Sequence, residues 1–469
     1  MADRRRVAAT SGRVVTGILG VALFAGAAFA VGQVELPVVA ADVPRTSVTP
    51  TASDQTRLCP GPLLRQEIDA SSGSFGAPAV TLAAPEGSEQ TALSAPDNIS
   101  GDQFGLPTVV TSSSADGEDA PLVAAAQSQS ADLDDLTGFA ATACGEVSAD
   151  SWLVAGSTDV GRTSLLSLSN PTRADAVIDL SFFGETGEIE APGAGGIIVQ
   201  AGESRVFSVA SFAPSIRNPV IRVRTTGGQV YATLQHSVVR GITPGGVELS
   251  APTAPPAITQ VLPGVVIPGT APTTIGETYD DSIGALRLLV PGADAARVVI
   301  TFASESGGTV PEPLDYAIEA GVVNEIPLSN LAAGSYSISM SSDVPIVAAA
   351  RTTAAAGDSG DFAWFVASAP IDADLSLAVA QGQGSRLHLF NPTDSAIDVT
   401  LTGQNGAETG VAVPAGDGVV TPVRGGAAYT VSGAEGVHAQ ISFEGAGGFS
   451  AYGIQPANPL ATPVTVYPR

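Results

Sequence analysis

The residues whose types could do chemistry are few and scattered. The tetrapeptide Gly357-Asp358-Ser359-Gly360 has the form of a loop that presents a nucleophilic serine. Such a serine needs a histidine base and an orienting aspartate. The only preceding histidine, His236, stands in an alternating strand pattern. Gly, Asp and Ser also form turns, so we interpret the tetrapeptide as a hairpin turn and predict no catalytic residues and no enzyme.

Metal ligands are equally dispersed. The histidines are His236, His388 and His438, and a zinc site needs three or four converging ligands. The acidic clusters are Asp132, Asp134 and Asp135; Asp280 and Asp281; Asp372 and Asp374. Calcium takes six to eight oxygens, and none of these clusters has the spacing of an EF-hand loop. We predict no metal site and no cofactor, with calcium between domains as an open alternative.

The two cysteines, Cys59 and Cys144, have no Cys or His neighbour that would suggest a metal or redox site. An even pair in an exported chain is most simply one disulfide. It would close a loop of roughly 85 residues, for which the loop-entropy model gives ~4 kcal/mol of stabilisation.

The charge balance excludes one class of partner. The chain has 46 acidic and 20 basic residues, a net charge of −26. All basic residues are Arg, which with the Ala- and Gly-rich composition indicates a GC-rich coding sequence. A strongly negative surface repels nucleic acid, so we expect none as a partner.

The N-terminus has the pattern of an export signal. Arg4, Arg5, Arg6 and Arg13 precede an uncharged apolar run over residues 14–31. This run approaches the ~20 residues that cross a bilayer, and Ala28-Phe29-Ala30 has the form of a cleavage site. We predict a signal peptide over 1–32 that is either cleaved after Ala30 or retained as a single membrane anchor, followed by a Pro/Thr/Ser-rich tether over 33–56.

A repeated sequence pattern, called here the opening phrase, forms the framework that positions the other residues. Residues 386–401 read as a strand, an Asn-Pro turn and a strictly alternating strand, the pattern of a half-buried antiparallel pair. The phrase recurs at 164–180 and, in altered form, at 285–302. We predict hairpins whose turns are structural, not active sites; the turn residues are Asn170, Pro171, Pro291, Asn391 and Pro392.

A second repeated pattern, called here the closing phrase, consists of a strand, a turn and another strand, and it stands at the end of each repeated unit. Its alanines, Ala124, Ala232, Ala348 and Ala439, are 108, 116 and 91 residues apart. A period near 100 is that of a domain and exceeds the ~20–50 residues of a solenoid repeat.

The predicted fold class is therefore mainly β. We expect tandem immunoglobulin-like β-sandwich units after the N-terminal signal or anchor helix, with a β-propeller-like arrangement as the alternative. The predicted units are a divergent, disulfide-bonded N-terminal β unit over 57–150 and three sandwich units over 151–255, 256–370 and 371–469.

The two tryptophans occupy related places. Trp152 and Trp364 both precede an opening phrase. Sandwich domains commonly bury one Trp, so we interpret both as structural aromatics in a core or between domains. Exposed indoles would instead indicate a sugar-stacking platform.

Several short motifs resemble an actinobacterial family of secreted or membrane-anchored proteins of unknown function. They are Cys59-Pro-Gly, Cys144-Gly, Asp150-Ser-Trp-Leu-Val-Ala-Gly156 and the run from Val160 to Pro171. The resemblance covers most of the chain beyond the signal segment. It implies export and a repeated β fold, and it carries over no catalytic residue.

These observations favour a non-catalytic, exported cell-envelope protein with a structural or interaction role. It would be extracellular or held in the envelope by residues 14–31, with an envelope protein or a glycan as partner. The alternatives are an array of carbohydrate- or cell-wall-binding modules and an enzyme of envelope polysaccharide metabolism, whose paired carboxylates sequence cannot identify.

Overall fold

The computed structural model describes residues 46–48, 54–66, 72–114, 120–269, 281–356, 359–445, 448–454 and 464–466. Residues 51–461 belong to one compact body, and a second unit, formed by residues 1–50 and 462–469, contains one pair of strands. The predicted signal, its cleavage site and most of the tether lie outside the described residues. Within them, no helix is long and apolar enough to cross a membrane.

The chain forms strands because β-branched and other apolar residues alternate with polar ones in many segments, while frequent Gly and Pro disfavour helices. The fold is mainly β, as predicted. The strands before residue 150 are β1 (Thr46–Val48), β2 (Gln55–Cys59), β3 (Leu64–Gln66), β4 (Ser72–Ser74), β5 (Ala79–Ala83), β6 (Glu89–Ala92), β7 (Thr108–Ser112), β8 (Ala124–Asp132) and β9 (Thr137–Ala143), with one helical turn, α1 (Gly101–Phe104).

The next strands are β10 (Asp150–Leu153), β11 (Arg162–Asn170), β12 (Ala176–Gly184), β13 (Gly187–Ile189), β14 (Ile197–Val199), β15 (Glu203–Ser208), β16 (Val220–Gly227), β17 (Tyr231–Arg240) and β18 (Thr243–Ser250), with a 3-10 helix at Val209–Ser211. They are followed by β19 (Ala257–Ile267), β20 (Ala285–Leu289), β21 (Ala296–Ser304), β22 (Leu314–Ile318), β23 (Asn324–Pro327), β24 (Gly334–Ala356) and β25 (Ser359–Val366).

The last strands are β26 (Leu375–Ala378), β27 (Ser385–Phe390), β28 (Ile397–Gly403), β29 (Glu408–Val413), β30 (Gly418–Pro422), β31 (Ala428–Ser432), β32 (His438–Gly445), β33 (Gly448–Gly453) and β34 (Val464–Val466). Strands β1 and β34 pair with each other in the second unit.

Sheet order follows one scheme in three successive stretches of the chain. One sheet runs β15-β11-β17-β18 and its counterpart near the C-terminus runs β30-β27-β32-β33. Each of these sheets shares a hydrophobic cluster with a second sheet, β10-β16-β12-β13 and β26-β31-β28-β29 respectively. Between these stretches, the 23-residue strand β24 serves two sheets, since its first half pairs with β19 and β21 and its second half with β20 and β25. Before residue 150 the sheets are smaller, β5-β8-β9, β2-β7-β6 and β3-β4.

The opening phrases are not hairpins, which corrects the sequence prediction. Strand β11 pairs with β15 and β17, whereas β12 pairs with β13, β14 and β16 in another sheet. The same separation holds for β27 and β28. The Asn-Pro turns therefore carry the chain from one sheet to another. Alternation of polar and apolar residues indicates a half-buried strand but does not identify the strand with which it pairs. For this reason the predicted hairpin pairing is wrong.

The turn asparagines are fully buried. Asn391 Nδ2 donates to the carbonyls of Ser395 and Val413 at 2.7 and 3.1 Å, and its Oδ1 accepts the Thr393 N–H at 3.0 Å. Asn170 makes the equivalent bonds. Each asparagine bonds within its turn and also to the carbonyl of a later strand, Val413 on β29 or Val199 on β14, so these side chains shape the crossover and tie it to that strand. At the third copy the buried Val290 stands before Pro291 in place of Asn.

The closing phrases are hairpins, as predicted: β8–β9, β17–β18, β24–β25 and β32–β33. Hydrophobic clusters join each hairpin to the next, and the fourth joins the last hairpin back to the first. The pairs that mark them are Ala140 with Val247, Leu234 with Trp364, Phe365 with Phe449, and Phe443 with Phe139. The four hairpins thus close a ring, and the cores between them are shared. The predicted domain boundaries remain predictions.

The predicted disulfide is confirmed. Cys59 and Cys144 are bonded and buried, and they join β2 to the end of β9. We expect the Cys59→Ser/Cys144→Ser variant to lose about 4 kcal/mol of unfolding free energy, because an open loop of this length adds entropy to the unfolded chain. Denaturant titration of the oxidised wild type and the variant measures the loss. Equal midpoints with equal slopes would contradict it.

Candidate functional site at the junction of four hairpins

The inner strand of each closing hairpin is an edge strand. Strands β9, β18, β25 and β33 each have one sheet neighbour, so their outer N–H groups lack a strand partner. Buried N–H groups must find acceptors, because leaving one unpaired costs about 1–3 kcal/mol. The four strands meet at a common junction where side chains supply these acceptors.

Asp361 is the principal acceptor. It lies at the start of β25 and is 1% exposed. Its Oδ2 accepts the N–H groups of Phe139 and Phe449 at 3.0 and 2.9 Å. Its Oδ1 accepts those of Phe362 and Val247 at 3.0 and 3.3 Å. One carboxylate therefore ties all four hairpins together.

Recurrent glycines make room for this carboxylate. A Cβ atom at Gly138, Gly246 or Gly448 would lie 2.6, 2.6 or 2.7 Å from an oxygen of Asp361. All three glycines also have positive φ angles, which residues with a Cβ adopt reluctantly. The glycine of the closing phrase is thus explained by close approach to Asp361.

A second buried acid forms a further layer. Glu248 on β18 is fully buried and accepts the Ser450 hydroxyl at 2.8 Å and the Ala451 and Leu249 N–H groups at 3.3 and 2.9 Å. Ser450 Oγ in turn accepts the N–H of Ala141 at 2.9 Å. The Ser450 and Ala451 donors belong to a different hairpin from the acceptor, whereas Leu249 is its neighbour on β18.

Burial changes the protonation of both acids. It raises the pKa of Asp361 to about 7, against the four N–H groups that favour the charged form. It also raises the pKa of Glu248 well above its usual value, with the charge of Asp361 acting in the same direction. The folded protein therefore holds protons that the unfolded chain releases near pH 4.

Stability should consequently depend on pH through Asp361. Its raised pKa contributes stability that is present below the unfolded pKa near 4 and is lost as the pH rises through about 7. We expect wild type to lose stability relative to Asp361→Asn by up to about 1.4 kcal/mol per pH unit between pH 5 and 7. Urea titrations at each pH measure the difference, and parallel curves would contradict the assignment.

Two histidines act in the opposite direction. Burial, with the charges of nearby arginines, lowers the pKa of His236 well below its usual value, and burial also lowers that of His438. Their contribution is present above the unfolded pKa near 6.5 and is lost below it. Because both histidines are present in wild type and in Asp361→Asn, their effect cancels in the comparison.

The third histidine belongs to a buried network between β21, β27 and β32. His388 Nδ1 is hydrogen bonded to Glu305 Oε2, and its Nε2 lies 2.7 Å from Ser442 Oγ. Glu305 Oε1 also accepts the Gly264 N–H and the Ser337 hydroxyl, each at 2.8 Å. The order Ser–His–carboxylate is that of a catalytic triad. Ser442 is only 1% exposed and His388 is fully buried, so a substrate cannot reach the hydroxyl in this conformation.

Both tryptophans are buried. Trp364 is 1% exposed, donates from Nε1 to His236 Nδ1 at 3.3 Å and lies 4.6 Å from the guanidinium of Arg287. Trp152 is 3% exposed and stacks on Phe183. Neither indole presents a face to solvent, so neither can stack on a sugar.

The remaining sequence candidates do not converge. Asp281 is paired with Arg162 and Arg240 at 3.0 and 2.6 Å, and Asp135 with Arg65 at 2.8 Å. The described residues contain no cluster of three or more potential metal ligands. Gly357 and Asp358 of the serine tetrapeptide, and Asp280, lie outside the described residues.

Sequence reasoning missed the two junction acids. Asp361 directly follows the tetrapeptide that was interpreted as a turn. The four residues that donate to this carboxylate are equivalent, and three of them, Phe139, Val247 and Phe449, follow a glycine, whereas Phe362 follows Asp361. A single charged residue where the other three hairpins have glycine was the available signal.

Comparison with known proteins gives one family and little else. No curated protein matches the chain. The crystal structure of Thermotoga maritima 1070 is 20% identical over 24% of this chain and 92% of its own, with a TM-score of 0.20. A TM-score of that size carries no weight for fold or function. A family model described as a family of unknown function (DUF5719) matches residues 100–424, more than half of the chain, and the protein therefore belongs to that family.

Proposed function

We propose that this protein is an exported, non-catalytic component of the cell envelope, a rigid body of β units that holds binding surfaces in fixed positions for an envelope protein or glycan. The observation that supports it best is the junction at Asp361. One carboxylate bonds to four hairpins, and neighbouring hairpins share hydrophobic clusters. A hairpin could move independently only by exposing its cluster and breaking these bonds, so the arrangement favours a fixed platform over a flexible chain of domains.

Export is part of this proposal. Arginines followed by an 18-residue apolar run have the composition of a signal or anchor segment. A buried disulfide is compatible with an oxidising compartment. Arg-only basic residues and the motif resemblance support an actinobacterial source. Whether the segment is cleaved after Ala30 or retained decides between a secreted and an anchored form.

The finer fold assignment is also proposed. Pairs of sheets with one strand order repeated along the chain support immunoglobulin-like sandwich units as an internal repeat. The ring of four hairpins adds a propeller-like feature at the centre. In this proposal each pair of sheets is a sandwich, and the sheets that contain the four closing hairpins meet in the ring.

A pull-down from envelope extracts tests the interaction role. The full-length protein, solubilised in mild detergent and tagged, is the bait, and a tagged protein of similar net charge is the control for electrostatic capture. We expect one envelope protein or polymer to be retained by this protein and not by the control protein. Fractionation of intact cells should place the protein in the envelope or the medium. Retention no greater than the control, or a cytoplasmic location, would overturn the proposal.

A hydrolase is the second candidate, and one observation favours it: the hydrogen-bonded order Ser442–His388–Glu305. It would require the sheets that cover Ser442 to open. A fluorophosphonate probe labels accessible, activated serines. Labelling that disappears in Ser442→Ala would support the hydrolase, and we expect no such labelling from the burial of this serine.

A further inference from the structure

A cavity of about 480 Å³ lies between the first closing hairpin and the loop that precedes β27. Its volume falls in the range of small-ligand sites, ~300–1,000 Å³. Aromatic rings, carboxamides and hydroxyls line it; the residues that matter below are Phe75, Phe139, Ser128, Gln129, Gln381 and Gln383. No lining side chain is charged, although the chain carries 46 acidic residues.

One wall of the cavity is held in place. Gln129 accepts the Leu63 N–H at 2.8 Å through Oε1 and donates to the Gly76 carbonyl at 3.0 Å through Nε2. Ser128 Oγ donates to the Gln381 carbonyl at 2.6 Å and so fixes the opposite loop. These bonds preorganise the site, which lowers the entropic cost of binding.

The aromatic floor is equally constrained. Phe139 stands edge-on to Phe443, with ring centroids 5.4 Å apart. A Cβ at Gly382 would lie 2.7 Å from the Phe139 ring and 2.6 Å from that of Phe443, so glycine there is required by the position of both rings. Phe75 is half-buried at the other side.

The opposite rim carries unused polar groups. Gln381 and Gln383 are exposed, and neither amide makes a hydrogen bond within the described part of the chain. Each carboxamide offers a donor and an acceptor side by side, which suits the adjacent hydroxyls of a sugar ring. The half-buried Phe75 ring can take up the apolar C–H face of the same sugar ring.

We propose that this cavity binds an uncharged glycan segment. The inference rests on the proposed role in envelope interactions and names its ligand. The negative surface disfavours anionic polymers, and the cavity holds no charge to pair with a cationic one. The free groups are side-chain amides, whereas an extended peptide is bound mainly by a row of backbone groups at a strand edge.

Calorimetric titration of the full-length protein tests the site. The probes are cellotriose, maltotriose, mannotriose and chitotriose, with trigalacturonic acid as the anionic comparison. We expect at least one neutral trisaccharide to bind and the anionic one not to bind. Gln381→Ala/Gln383→Ala should weaken binding about tenfold, the effect of losing two net hydrogen bonds. The matched control, Gln90→Ala/Gln200→Ala, removes two exposed glutamines elsewhere and should bind as wild type.

A second variant tests the cavity by volume. Ala77 lines it and is exposed, so Ala77→Leu should reduce binding while the amides remain. Absence of binding by every neutral trisaccharide, or binding that is unchanged in both cavity variants, overturns the inference. So does displacement of the sugar by a neutral peptide that binds more tightly. If envelope material is still captured while no trisaccharide binds, the glycan site fails and the interaction role stands.

Discussion

Replacement of Asp361 by alanine is expected to lower the free energy of unfolding by about 5 kcal/mol. The change leaves the N–H groups of Phe139, Val247, Phe362 and Phe449 without their acceptor in a buried junction. Each unpaired donor costs roughly 1–3 kcal/mol, reduced where water enters the space. Guanidinium titration followed by the fluorescence of the two buried tryptophans measures the loss.

Asparagine at the same position separates shape from hydrogen bonding. At a pH above 7, where Asp361 is ionised, Asp361→Asn keeps the volume but turns one acceptor oxygen into a donor that faces other donors, so its loss should approach that of alanine. Asp398, exposed on β28, provides the control, and Asp398→Ala should change stability by less than about 0.5 kcal/mol. A loss below about 1 kcal/mol in both Asp361 variants would show that the junction does not depend on this carboxylate.

The second large effect is expected at His388. His388→Ala should cost about 4 kcal/mol, because removing one partner leaves the Glu305 carboxylate buried without its imidazole. The ring also fills space against Gly264, where a Cβ would lie 2.3 Å from it. Ser442→Ala, which removes only one hydroxyl contact to the same imidazole, should cost about 1 kcal/mol.

A double-mutant cycle distinguishes the pair from simple packing. If the two groups stabilise each other, Glu305→Gln/His388→Ala should cost less than the sum of the single changes. Additive losses would mean that the ring acts only by its volume. Unfolding is measured at pH 7 in the oxidised protein, so that the disulfide does not contribute to the difference.

Local patterns identified the strands and the closing hairpins because both depend on neighbouring residues. Gly138 and Gly448 mark turns, and alternation marked Val399 and Leu401 as buried. Cys59 and Cys144 were paired by count alone. Strand partners could not be predicted in this way, because β11 and β12 look like a hairpin in the sequence, yet each pairs with strands of a different sheet.

The junction could not be predicted in the same way. Three of the four N–H groups that explain Asp361 come from residues 222, 114 and 88 positions away. Glu305 and His388 are likewise 83 residues apart. No spacing rule in one sequence connects such groups, whereas a charged residue in an apolar strand is at least a warning of a buried acceptor.

The closed ring has a consequence for the order in which the parts of the chain can fold. The last hairpin, β32–β33, must emerge before the first can bury Ala126, Phe139 and Ala141 against it. About 300 residues separate the two, so this closure is slow compared with the local hairpins. Until then, one apolar face of the first hairpin remains exposed, and exposed apolar surface favours aggregation. Truncation of the C-terminal hairpin should therefore damage the first unit, the part of the chain made earliest.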